Sequence, residues 1–134
     1  MGDPAVETGT EPRIRYNADG LVPAIVQDVA TGDILMMAWM NADALRQTIE
    51  TGKATFYSRS RDKMWVKGES SGHVMRVVDT RVDCDQDTVL VRVNAGGPAC
   101  HVGYASCFYR AFDGPDALRT VAEKVYDPDE VYKK

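Results

Sequence analysis

The sequence has no long apolar run. None of its hydrophobic stretches approaches the roughly 20 residues that a helix needs to cross a bilayer, and no charged, apolar leader opens the chain, so no membrane association is expected. An excess of positive charge is also missing. The 16 Lys and Arg against 20 Asp and Glu leave a net charge of -4 and a pI near 5.1, which argues against bulk binding to nucleic acid or anionic membrane. Any phosphate recognition must therefore be local. Cysteine is scarce and odd in number: three thiols cannot all pair with one another, and no C-x-x-C is present. That fits a reducing, cytoplasmic setting better than a disulfide framework, and it argues against a dithiol redox motif. Internal repeats and low-complexity linkers are absent. What remains, at 134 residues with 44% hydrophobic and 27% charged residues, is one ordinary soluble domain large enough to bury a core.

The scarce residues are concentrated. Val82 to Phe108 reads VDCDQDTVLVRVNAGGPACHVGYASCF and holds Cys84, Cys100 and Cys107, one of the two histidines (His101), and the acidic triplet Asp83, Asp85 and Asp87. Val77, Val78, Val82, Val89, Val91 and Val93 supply β-branched bulk around the triplet, which predicts strand. Strand alternation would put the three aspartates on one face and Cys84 on the other. A row of carboxylates is a hard-oxygen site suited to magnesium, and thiolates are soft ligands suited to zinc, so two distinct metal sites are expected. The same aspartates would equally suit a solvated turn, and a lone cysteine is often a small hydrophobe. Gly96, Gly97 and Pro98 make AGGPAC a loop that delivers a thiol and an imidazole together.

The rest of the chain frames this segment. Residues 1–20 form a polar arm, expected to be mobile; residues 21–126 form the domain, and residues 127–134 a charged tail. Leu21 to Met40 reads as a β-hairpin turning at Gly32, buried on both faces. A helix follows, with Asn41 as N-cap, Asp43 in its first turn, Gly52 as terminator, and Leu45 and Ile49 on one apolar face. Thr55 to Arg59 and Met64 to Lys67 predict a second hairpin around Arg61, Asp62 and Lys63. Ser58, Arg59, Ser60 and Arg61 set hydroxyls beside guanidinium groups, which suits a phosphate; Lys67, Glu69 and Ser71 extend the patch, and Trp65 can stack on a planar base. A solvated hairpin tip would use the same residues. His73 opens the next expected strand. Near the C-terminus, FYRAF reads as strand and Pro115 to Val125 as a second helix, with Leu118, Val121, Ala122 and Val125 on one face.

Three blocks in order, FYSRSRDKMWVKGESSGH, RVVDTRVDCDQD and GPACHVGYASCFYR, resemble phosphoribosyl-AMP cyclohydrolase, the third enzyme of histidine biosynthesis, in its monofunctional form. The resemblance runs from about Leu21 to Arg110. The family pattern has Thr at Ser70 and commonly Gln at Met75, and Val102, Tyr104 and Ala105 replace a Thr and a basic pair. The resemblance implies an α+β fold, a mainly antiparallel sheet with two helices, in an intertwined homodimer. It also implies Zn2+ shared between subunits, on Cys84 of one and Cys100 and Cys107 of the other, with Mg2+ on Asp83, Asp85 and Asp87. Zinc-activated water would then open the adenine N1–C6 bond of phosphoribosyl-AMP, with His101 or His73 moving the proton. Substrate contacts are expected from Ser58, Arg59, Ser60, Arg61, Trp65, Lys67 and Ser71. A nucleoside deaminase, which attacks the same ring carbon, usually needs H-x-E and C-x-x-C elements that are missing here.

Overall fold

Among the described residues, ten short elements follow in the order α1 (Pro4–Thr8), β1 (Val22–Asp28), β2 (Ile34–Met40), α2 (Ala42–Thr51), β3 (Thr55–Ser58), β4 (Lys63–Val66), β5 (Arg76–Val82), β6 (Val89–Asn94), β7 (Arg110–Phe112) and β8 (Leu118–Thr120). This computed structural model describes residues 3–69, 72–95 and 97–127. Ser70, Ser71, Gly96 and the tail from residue 128 lie outside the described residues, so the role expected of Ser71 falls there too. The architecture is α+β with mostly antiparallel pairing, as expected. No described helix is long and apolar enough to cross a membrane.

Two antiparallel hairpins meet in one sheet of order β2-β1-β6-β5, and they meet in parallel, Ala24 beside Val89 and Val26 beside Val91. A parallel join requires a crossover. The segment carrying α2 and the β3–β4 hairpin provides it. Val22, Ala24 and Val26 of β1 alternate into the core opposite Val89, Val91 and Val93 of β6, and Phe56, Met40 and Met75 close it. The other face of β1 is only half-buried, so the first hairpin is not buried on both faces. Gly32 turns that hairpin at φ +80°, a conformation that favours glycine.

Helix α2 forms where its caps dictate. The Asn41 side chain accepts from Ala44 N at 2.8 Å, and Gly52 ends the helix in the left-handed region at φ +73°. Its buried stripe is Ala44, Leu45 and Thr48, whereas Ile49 is 61% exposed. Thr48 takes the place expected of Ile49 because its hydroxyl accepts from Thr55 N at 3.0 Å and bonds Ala44 O at 2.9 Å, tying the helix to β3.

Three expectations are corrected. The chain after Pro115 is not a helix: Leu118–Thr120 pairs with Arg110–Phe112 as a small hairpin, and Gly114 turns it at φ +77°. No core face awaits the apolar stripe there, and Leu118, Val121 and Val125 are exposed. The second helix is instead α1, inside the N-terminal arm, capped by the Asp3 side chain accepting from Ala5 N at 2.9 Å. Finally, His73 does not open β5, which begins at Arg76.

Candidate functional site

Asp83 to Thr88 is a turn joining β5 to β6, not a strand. Alternation therefore does not sort its side chains. Gln86 adopts φ +57°, and the Asp83 carboxylate accepts from the backbone N–H groups of Asp87 (3.0 Å) and Thr88 (3.2 Å), winding the turn about itself. Burial of Asp83 works against ionisation, but hydrogen bonds from the Asp87 side chain and from backbone N–H groups hold its carboxyl below the usual range. Asp87 is raised by that same hydrogen bond to Asp83 and by the negative charges of Asp83 and Asp85. Cys84 is exposed in the same turn.

The turn is anchored by a residue that sequence reasoning missed. Gln86 is 4% exposed, and its amide accepts from Arg13 N at 2.6 Å and donates to Val6 O at 3.0 Å. Its backbone carbonyl accepts from Arg15 N at 2.7 Å. The N-terminal arm therefore docks on the acidic turn. A glutamine between two aspartates gave no signal of this.

Cys100 and Cys107 do come together. Ala99 N donates to Ala105 O (2.9 Å), Cys100 N to Tyr104 O (3.1 Å), and Gly103 N to Cys100 O (3.2 Å), closing a tight loop with His101 exposed at its tip. Cys107 N donates to Leu35 O at 2.7 Å and Ser106 Oγ to Ile34 O at 2.7 Å, pinning the loop to the start of β2. Burial, and then the neighbouring Cys100, push the Cys107 thiol up to about 11, while Lys67 pulls in the opposite direction. Zinc binding would have to displace that proton. Tyr104 stacks on Tyr109 at 3.9 Å.

His73 borders the same loop. A Cβ on Gly97 would sit 2.7 Å from the His73 ring, so only glycine allows this approach, and a Cβ on Gly68 would meet the His73 carbonyl oxygen at 2.1 Å. Tyr126, absent from the sequence expectations because it falls at the edge of the charged tail, donates to Cys100 O at 2.7 Å and meets His73 edge-on at 5.9 Å.

The expected ligands fall into two groups. Cys84 and the aspartates precede β6, and the thiol pair follows it; six strand residues put these groups roughly 15–20 Å apart. Among the described residues, no three His, Cys, Asp or Glu side chains form a set that could hold a metal. In donor chemistry alone, the thiols suit zinc and the carboxylates suit magnesium. The β3–β4 tip forms a third group. Open clefts of about 450 and 620 Å³ share Ser58, Ser60 and Trp65; Arg61 lines the first and Arg59 the second. Trp65 also packs on Phe56 at 5.0 Å, and the Arg59 guanidinium lies 5.1 Å over Trp39. Lys67 is not with this group.

The phosphoribosyl-AMP cyclohydrolase family model matches residues 36–109. A protein of that name from Rhodopseudomonas palustris strain HaA2 is 53% identical over 96% of this chain and 91% of its own. One from Methanothermobacter thermautotrophicus is 54% identical over 90% of this chain and 88% of its own. Another, from Haloquadratum walsbyi, is 49% identical over 99% of this chain and the whole of its own. With its cysteine loop, both histidines and acidic turn inside or beside the matched region, the chain belongs to the phosphoribosyl-AMP cyclohydrolase family, hydrolases of histidine biosynthesis.

Proposed function

We propose that this chain hydrolyses phosphoribosyl-AMP, opening the N1–C6 bond of the adenine ring to give the formimino carboxamide ribotide. The observation that supports this best is the thiol pair of Cys100 and Cys107, in a loop that presents His101 and abuts His73, within a chain whose relatives bear that name over nearly their full length. Cys100 and Cys107, joined by Cys84 of a second copy, would hold zinc, and Asp83, Asp85 and Asp87 would hold magnesium. Zinc there supplies Lewis acidity that brings the pKa of water toward neutrality, the chemistry needed to add water to a cationic purine carbon.

The protein's own groups have four tasks. An imidazole, that of His101 or His73, takes the proton lost as water adds to C6, and imidazole is suited to this near neutral pH. A proton goes to N1 as the C6–N1 bond breaks. The water oxygen becomes the carboxamide oxygen, and N1 stays in the formimino group with its phosphoribosyl substituent. Ser58, Arg59, Ser60 and Arg61, beside the two clefts, would bind phosphate and ribose, and Trp65 would meet the base.

Turnover of phosphoribosyl-AMP, followed by ultraviolet absorbance, tests the reading. It should disappear when metal is stripped and return when zinc and magnesium are restored together. Full turnover in the stripped protein would contradict the metal roles, and no turnover in zinc-loaded protein would contradict the activity itself.

A further inference from the structure

The Lys67 ammonium is engaged by the cysteine loop, not by the Ser58 to Arg61 tip. The Ser58 to Arg61 tip is at one end of β4 and Lys67 follows the other; a four-residue strand makes that separation roughly 13 Å. Neither cleft includes Lys67 itself, although the first runs along the hairpin to Val66 and Glu69 on either side of it. Its backbone N–H donates to Ala54 O at 2.9 Å, which fixes the root of the side chain, and its Nζ donates to Ala99 O at 2.5 Å. Ala99 is buried and immediately precedes Cys100, and its own N–H closes the cysteine loop on Ala105 O. The ammonium is thus bonded to the loop that carries the thiols and is near enough for its charge to act on Cys107.

The charge has a use there. Three thiolates on a divalent cation carry one net negative charge, and a site walled on one side by the buried Cys100 solvates that charge less well than open water. A fixed ammonium beside two of the thiolates offsets it, and the bond to Ala99 O holds the loop at the same time. We propose that Lys67 is a positioning and charge-balancing residue of the Cys100–Cys107 thiol pair, and not a ligand for substrate phosphate. The inference rests on the zinc reading of those thiols.

The full-length, zinc-loaded protein and its Lys67→Met, Lys67→Gln and Lys67→Arg variants separate the alternatives. Two quantities are measured: zinc affinity, by competition with a chromophoric chelator at fixed pH, and KM apart from kcat for phosphoribosyl-AMP at saturating zinc. Loss of a charge-assisted contact should weaken zinc binding about tenfold in Lys67→Met, with KM within about twofold of the parent. Lys67→Gln keeps a donor for Ala99 O without the charge and should also bind zinc more weakly. Lys67→Arg should retain most of the affinity. If Lys67→Met does not fold, the Gln and Arg variants still separate charge from hydrogen bonding. Unchanged zinc affinity in Lys67→Met and Lys67→Gln, with or without a KM raised tenfold or more, would overturn the inference. If the parent protein itself holds no zinc, the zinc reading fails and the inference with it, a result visible without any variant.

Discussion

Gln86 shows how one side chain can hold a reactive turn in place. At φ +57° it occupies the left-handed region, which costs a non-glycine residue roughly 1 kcal/mol, and it is buried although its neighbours Asp85 and Asp87 are not. Its bonds to Arg13 N and Val6 O offset that cost. Gln86→Ala leaves both arm groups without this partner and should lower stability by about 1–3 kcal/mol, read as a shift in the urea midpoint; an unchanged midpoint would show that the arm docks without it. Cys107 makes a prediction about pH. Its folded-state pKa, about 11, lies above the ordinary 9.0, so the folded chain binds this proton more tightly than the unfolded chain does. The resulting stability is fully present below pH 9 and is lost as pH rises toward 11. Metal-free protein should therefore have a lower urea midpoint at pH 10.5 than at pH 8, and Cys107→Ser should flatten that difference.

Elements were legible in the sequence where their signals are local. Asn41, Asp43 and Gly52 act within one turn of α2, so both ends of that helix could be read directly. Asn41→Ala should cost about 1 kcal/mol in thermal or urea unfolding, while Asn41→Asp should be nearly neutral. Valine-rich β1 and β6 were readable for the same reason, but their parallel meeting depends on partners more than 60 residues apart and was not. At the C-terminus the helical spacing of Leu118, Val121 and Val125 was real but had no core to face, and pairing with Arg110–Phe112 decided the outcome. Asp83 to Asp87 was read as strand from its valine flanks. Bonds from backbone N–H groups to the Asp83 carboxylate, together with Gln86 in the left-handed region, make it a turn. The site followed the same division. Residue types gave the thiols, carboxylates and imidazoles, whereas Tyr126, the glycines against His73 and the true neighbour of Lys67 depend on contacts between distant segments.

At the scale of the molecule, the acidic turn and the thiol pair lie at opposite ends of β6, and several large apolar side chains are exposed. Val78 and Val82 on edge strand β5 are exposed, as are Phe108, Phe112, Leu118 and Val121 along the C-terminal hairpin. In the dimer proposed above, a second copy in antiparallel arrangement would cover such residues and bring Cys84 and the aspartates of one chain to the thiol pair of the other. The most direct test is subunit complementation. Cys84→Ala and Cys107→Ala proteins, each inactive alone, are unfolded, mixed in equal amounts and refolded together. Random pairing makes half the dimers mixed, each with one intact site of two, so turnover should recover to about a quarter of the wild-type value. A mixture as inactive as its components, though dimeric and folded, would contradict a site built from two chains.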